Sequence, residues 1–350
     1  MKNVKKWLLI FLAVGAVLLA ERGFADFASE PGQQRTDSPR GLPNVSTRSE
    51  NSGRVDLFAD FLFWFASEET ASIWTNVFSV GFNTSTFEAK GFDFDWDYGF
   101  RLGAGYNFAY DQWDTQLYWT WYRTQSHDSV SPKPNATVIP EFEAGLLSQK
   151  NAAGAHIGWT IQLNMIDWEL GRKYWVSNDL FLRPFIGLKG GWIDQSLRLH
   201  YEDLIVNKVN TDTIGKERLK NDFWGIGPAG GLNTKWRLRN FGTHFPSLFG
   251  DFSVATMWGT WKLHDRYRDE TGLVSTTHFK TLTLGAIMFR GIVGVGWDAQ
   301  FCRGKCHFAT SIGYEMQLWV NQLRLSTLQL LPLHGDLTLQ GITWNTRFDF

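Results

Sequence analysis

From Val55 onward, apolar and polar residues alternate with a period of two, the period of a β-strand whose successive side chains point to opposite faces. The longest example runs from 92 to 108. Its even positions are Phe92, Phe94, Trp96, Tyr98, Phe100, Leu102, Ala104, Tyr106 and Phe108; its odd ones are Asp93, Asp95, Asp97, Gly99, Arg101, Gly103, Gly105 and Asn107. One face is rings and aliphatic chains, the other carboxylates, guanidinium and glycine. The alternation recurs over 224–237, 308–321 and 342–350.

This pattern predicts ten antiparallel strands, at 55–66, 92–108, 112–125, 153–176, 180–199, 222–238, 248–263, 278–301, 307–322 and 336–350. A further hairpin within 71–90 would make 12. The connections alternate between short (109–111, 177–179, 240–247, 302–306) and long (67–91, 126–152, 200–221, 264–277, 323–335), as in an up-and-down barrel with short periplasmic turns and longer external loops. Several strands exceed the roughly nine to 11 residues that cross a bilayer. The alternation also changes phase near Ile166–Asp167 and Leu284–Gly285, where bulges are expected in walls that rise above the membrane.

The polar face separates a membrane barrel from a soluble one. Asp93, Asp95, Asp97, Arg101, Glu169, Lys173, Arg183, Lys189, Lys235, Arg237, Asp251, Arg290, Asp298, Glu315 and Arg347 all fall on it. A dry core cannot hold so many ions unpaired, since each costs several kcal/mol, about the stability of a whole domain. They need water or each other, and are the candidate pore-lining residues. The apolar face, rich in aromatic residues near strand ends, is what lipid and its interfaces accept, and only a closed barrel pairs every backbone amide in hydrocarbon. The reading is therefore all-β: a transmembrane antiparallel up-and-down β-barrel.

Composition narrows the class further. Aromatics make up 16% of 350 residues, including 18 Trp and 28 Phe, which excludes a disordered or collagenous chain. A formal charge of −1 argues against a nucleic-acid partner, and two cysteines are too few for a disulfide scaffold or a four-ligand zinc site. Residues 1–25 read as a secretory signal: Lys2, Lys5 and Lys6, an apolar run over 7–20, and cleavage expected after Ala25. Residues 26–54, with Pro31, Pro39 and Pro43, read as a flexible periplasmic tail, leaving 55–350 as the barrel.

Several stretches together resemble the Legionella-type major outer membrane protein family. They are 95–101 (DWDYGFR), Trp113-Asp114, 166–172 (IDWELGR), 182–188 (LRPFIGL), 223–228 (FWGIGP) with Trp236, 294–297 (GVGW), 313–315 (GYE), 335–341 (GDLTLQG) and the final Phe348-Asp349-Phe350. The resemblance spans 55–350. It implies a pore-forming barrel of the bacterial outer membrane, distinct from trimeric porins, that passes small solutes passively. With two cysteines, the chain departs from members and analogues that cross-link heavily. The family supplies no catalytic motif or cofactor.

Three features carry candidate chemistry. Trp344, Phe348 and Phe350 share one face of the last strand and resemble the signal read by the outer-membrane β-barrel assembly machinery. Cys302 and Cys306 flank a three-residue turn and are close enough in sequence for a local disulfide, the alternative being free or intermolecular thiols. Asp93, Asp95 and Asp97 with Arg101 form either an ion-filtering constriction or a mutually neutralising ladder. His127-Asp128 and His264-Asp265 are sequence neighbours, so on a strand they point apart and form no catalytic dyad; no enzyme, cofactor or metal is expected. The expected function is passive diffusion of small hydrophilic solutes or ions. The alternative is a structural or surface-recognition barrel with a blocked lumen. Outer-membrane lipid and lipopolysaccharide are the expected surroundings, and a homo-oligomer is compatible with the chain.

Overall fold

The structure is a computed structural model. It describes residues 54–349 except 70–73, 81–83, 132–135, 141–150, 178, 207–208, 211–212, 239–243, 302–305 and 327–331. Ten long strands form the wall: β1 (Arg54–Glu68), β2 (Asp97–Asn107), β3 (Trp113–Val130), β4 (Asn151–Arg172), β5 (Leu180–Val206), β6 (Gly215–Arg237), β7 (His244–Asp269), β8 (Val274–Phe301), β9 (Cys306–Ser326) and β10 (Pro332–Asp349). Each pairs antiparallel with its sequence neighbours. β10 closes on β1 through a register running from Asp56↔Asp349 to Glu68↔Leu337. The result is a closed ten-strand barrel. The hairpin expected within 71–90 exists as Thr75–Val80 and Ser85–Lys90, but it pairs with Ala136–Pro140 outside the wall, because β1 hydrogen-bonds directly to β2.

Along the half of the wall nearest the short connections, outward side chains are apolar and exposed: Leu57 and Phe61 on β1, Ile186 and Leu188 on β5, Val293 and Val295 on β8, Trp344 and Phe348 on β10. Inward ones are mostly charged or polar, with a few buried apolar side chains such as Phe58, Phe185 and Ile292 among them. Toward the long connections the two faces exchange chemistry. On β4 the inward residues Ile157, Trp159, Ile161, Leu163 and Met165 are buried, while His156, Thr160, Gln162 and Asn164 point out. Past Met165 the inward positions become Asp167 and Glu169 and the outward ones Ile166, Trp168 and Leu170. The strand itself does not change: its register with β3 and β5 is unbroken through Ile166 and Asp167.

The bulge expected at Ile166–Asp167 is therefore absent. The apparent slip marks the edge of the lipid. Where hydrocarbon surrounds the wall, apolar side chains belong outside; where water does, they belong inside, as in any soluble barrel. The second expected irregularity has a partial counterpart. β7 and β8 shift register between Trp261↔Leu282 and Leu263↔Phe279, a few residues from Leu284–Gly285.

The inversion also explains why the strands outrun their predicted ends. β5 continues to Val206 and β6 begins at Gly215, because the emergent wall alternates as regularly as the embedded one. Its inward side chains merge into one apolar core containing Leu62, Trp64, Tyr122, Trp159, Leu197, Leu199, Phe223, Met257, Trp261, Trp319 and Leu337.

Candidate functional site

The interior has two storeys. The membrane-spanning storey holds a cavity of about 240 Å³ lined by, among others, Asp60, Arg101, Glu169, Arg183, Asp251, Arg290 and Arg347. Buried ions survive here because they are paired and hydrogen-bonded. Glu315 is fully buried and accepts from Arg101 Nη2 (2.8 Å), Arg290 Nε (2.7 Å), Gln317 Nε2 (2.9 Å) and Thr343 Oγ1 (2.9 Å). Arg101 Nη1 also donates to Asp60 at 2.8 Å. Arg183 donates to Asp114 (2.6 Å), Glu169 (2.8 Å) and Asn233 (2.7 Å). Lys189 pairs with Asp167 at 2.7 Å.

Nearer the short connections the pairs join into a belt. Lys173 lies 3.5 Å from Asp114 and donates to Asn107, whose amide donates to Asp56 at 2.7 Å. Asp56 in turn pairs with Arg347, which donates to Asp349 at 2.7 Å. His307 bridges Asp349 (2.9 Å) to Asp298 (3.3 Å), and Lys235 pairs with Asp298. Arg237 stands at this mouth with its guanidinium 4.4 Å from the Trp175 ring centroid.

Of the residues singled out from sequence, Arg101, Glu169, Lys173, Arg183, Lys189, Lys235, Asp251, Arg290, Asp298, Glu315 and Arg347 meet around this interior. Asp93 and Asp95 do not. Residues 91–96 form no strand, both carboxylates are exposed, and Phe92 and Phe94 turn inward onto Trp159 at 5.6 and 5.4 Å between centroids. Asp97 accepts from the Gln125 backbone amide at 3.3 Å. The aspartate comb is thus neither a constriction nor a ladder. Above the lipid, the aromatic residues of this segment take the inside and push its carboxylates out. Sequence reading missed Asp56, Asp60, Asp114, His307 and Asp349, although Asp56 and Asp60 are spaced at the strand period in the otherwise apolar stretch 55–66 of β1.

In the emergent storey, polar side chains among the apolar core are tied to one another and to the backbone across the interior. Trp159 Nε1 donates to Gln195 Oε1 (3.2 Å), and Gln195 Nε2 donates to Glu68 Oε1 (2.8 Å). Trp261 Nε1 and Asn221 Nδ2 on β7 and β6 both reach the backbone oxygen of Gln322 on β9, at 3.1 and 3.5 Å. A methyl at Gly103 would overlap the Phe58 ring and one at Gly259 the Phe223 ring, so aromatic side chains occupy the space glycine leaves.

His127 and His264 face outward while Asp128 and Asp265 face inward. Asp128 accepts from Trp74 Nε1 at 2.9 Å, and the His264 ring meets His278 with the Nδ1 atoms 2.8 Å apart. Among the described residues no group of three or more His, Cys, Asp or Glu side chains is arranged to hold a metal ion. Trp344 and Phe348 lie on the lipid-facing side of β10. Phe350, Cys302, the expected signal peptide and most of the tail lie outside the described residues, and so do the expected disulfide and the end of the assembly signal.

Solved structures similar to this chain include the outer membrane protease OmpT of Escherichia coli, at 8% identity, covering 85% of this chain and 96% of that one with a TM-score of 0.32. The Pseudomonas putida toluene transporter TodX is 9% identical, with coverage of 88% and 92% and a TM-score of 0.22. A FadL homologue of Pseudomonas aeruginosa is 7% identical, with coverage of 85% and 90% and a TM-score of 0.27. No curated protein matches the chain. A family model described as the Legionella pneumophila major outer membrane protein precursor matches residues 47–350, the whole barrel, and the chain therefore belongs to that outer membrane protein family.

Proposed function

We propose that this protein is an outer-membrane barrel closed to free diffusion, a structural and surface-recognition element whose interior stiffens the wall and whose long connections meet the outside. The observation that supports this is the apolar core of the emergent storey. Trp64, Trp159, Trp261 and Trp319 are fully buried there, and a hydrogen bond joins β5 to β1 across the bore. A hydrated ion crossing that layer would shed its water against side chains that are mostly apolar, at a cost of several kcal/mol or more. The reading assigns no catalysis.

A second reading is passive diffusion of small hydrophilic solutes or ions. The polar cavity in the membrane-spanning storey favours it, with Arg101, Arg183 and Glu169 on its wall. Single-channel recording in a planar bilayer separates the two. The purified barrel, shown to be folded by heat-modifiable gel migration, should leave the bilayer silent. Reproducible discrete conductance steps would overturn the closed reading in favour of the pore.

A further inference from the structure

We propose that the outward face of β5, β6 and β7, just beyond the lipid, is a binding site for the phosphorylated saccharide headgroup of an outer-leaflet glycolipid such as lipopolysaccharide. The proposal does not depend on whether the lumen conducts. Trp192 and Trp224, opposite each other in register, with Trp258 on the next strand, mark the outer aromatic girdle. Past them the outward positions come in register as transverse rows. Asp222 faces Asp194 and Lys262; Lys220 faces Ser196 and His264; Arg218 faces Arg198 and Arg266; Lys216 faces His200 and Arg268.

The row of three arginines needs an explanation. Like charges directly opposite on neighbouring strands destabilise a sheet, and no described carboxylate forms an ion pair with Arg198, Arg218 or Arg266. A shared anion removes the repulsion, and guanidinium groups bind phosphate in a bidentate fork. Beside this row the wall carries a recess of about 660 Å³ lined by Arg123, His127, His156, Gly158, Arg198 and His200. At Gly158 a Cβ would come within 2.7 Å of His127 Nδ1, so a larger residue there would displace the His127 ring from the recess.

Depth selects the class of lipid. Two residues advance a strand by about 6.6 Å, or roughly 5 Å along the membrane normal at a tilt of about 45°. Lys220 and His264 then stand roughly 9 Å, and the arginine row roughly 14 Å, beyond the tryptophans. A phospholipid headgroup layer is only about 5–7 Å thick per leaflet. The cations therefore sit too far out for phospholipid phosphates and at the height of a sugar headgroup that carries phosphate.

The test uses the full barrel, purified in detergent free of lipopolysaccharide, and measures binding by native mass spectrometry and by titration. The probes are lipopolysaccharide, the same lipopolysaccharide stripped of phosphate, phosphatidylglycerol and inorganic phosphate. The proposal expects saturable binding of intact lipopolysaccharide. It expects at least tenfold weaker binding in the triple variant Arg198→Gln, Arg218→Gln, Arg266→Gln, partial rescue by Lys at the same positions, and no change in Arg172→Gln at the opposite rim. Heat-modifiable migration establishes that each variant is folded. Equal binding of the stripped lipid, or an unaffected triple variant, overturns it. Competition by inorganic phosphate alone, or equal binding of phosphatidylglycerol, overturns the glycolipid assignment.

Discussion

Gln195 on β5 donates a 2.8 Å hydrogen bond to Glu68 on β1, although in a ten-strand cylinder three strands separate them on one side and five on the other. The two side chains meet because the emergent storey has no open bore between them. Glu68 lies beyond the lipid-facing stretch of β1, where burial pushes its carboxyl up to about 8, against the lowering effect of the Gln195 bond and with Asp336 adding to the rise. Its Oε2 has no partner, which suits a protonated acid.

This fixes a sign for pH. A carboxyl whose pKa is raised in the folded state contributes fully below its unfolded value near 4.5, and that contribution is lost as pH rises toward 8. The barrel's urea midpoint should fall between pH 5 and pH 9. Glu68→Gln should flatten that slope, and an unchanged slope in the variant would show that Glu68 is not the group responsible.

Trp159 and Trp261 should behave as core residues of a soluble barrel. Replacing either with Ala should cost about 3–5 kcal/mol in chemical denaturation, since each leaves a large void in a packed layer. If that layer closes the lumen, the double variant should leak ions across a bilayer that the parent leaves sealed.

In the membrane-spanning storey, Glu315 supports two guanidinium groups at once. Glu315→Gln leaves Arg101 and Arg290 short of counter-charge, and removing one partner of a buried pair costs about 3–5 kcal/mol. The variant barrel should lose its heat-modifiable form at a temperature well below the parent's. Arg172→Gln, which breaks a solvent-screened pair with Asp111, should leave that temperature close to the parent's.

Asp93 and Asp95 are exposed on a segment without strand structure. Changing both to Asn should leave stability within about 0.5 kcal/mol of the parent and should alter no electrical property of the barrel. A large change in either would return these carboxylates to the interior.

Period-two alternation was enough to find the ten strands and their antiparallel order, because backbone geometry sets that period in any solvent. What alternation does not encode is which face is inside. In β4 the apolar residues line the interior from Ile157 to Met165 and the exterior from Ile166 to Leu170, and one sequence reads the same either way. The apparent bulge and the aspartate comb are misreadings with that one origin. The lumen ions were legible as a class, since Arg101, Arg183 and Glu315 interrupt apolar strands at the strand period. Their partners were not, because Arg101 meets Glu315 from 214 residues away.

The arginine rows have a consequence for how the protein reaches its place. A barrel delivered from the periplasm must carry Arg198, Lys216, Arg218, Arg266 and Arg268 through the hydrocarbon, and each cation at mid-depth on the lipid face costs about 2–4 kcal/mol. The same toll applies to retreat. Sliding back would bury these cations in hydrocarbon, so the rows oppose withdrawal and set the barrel's depth together with its apolar belt.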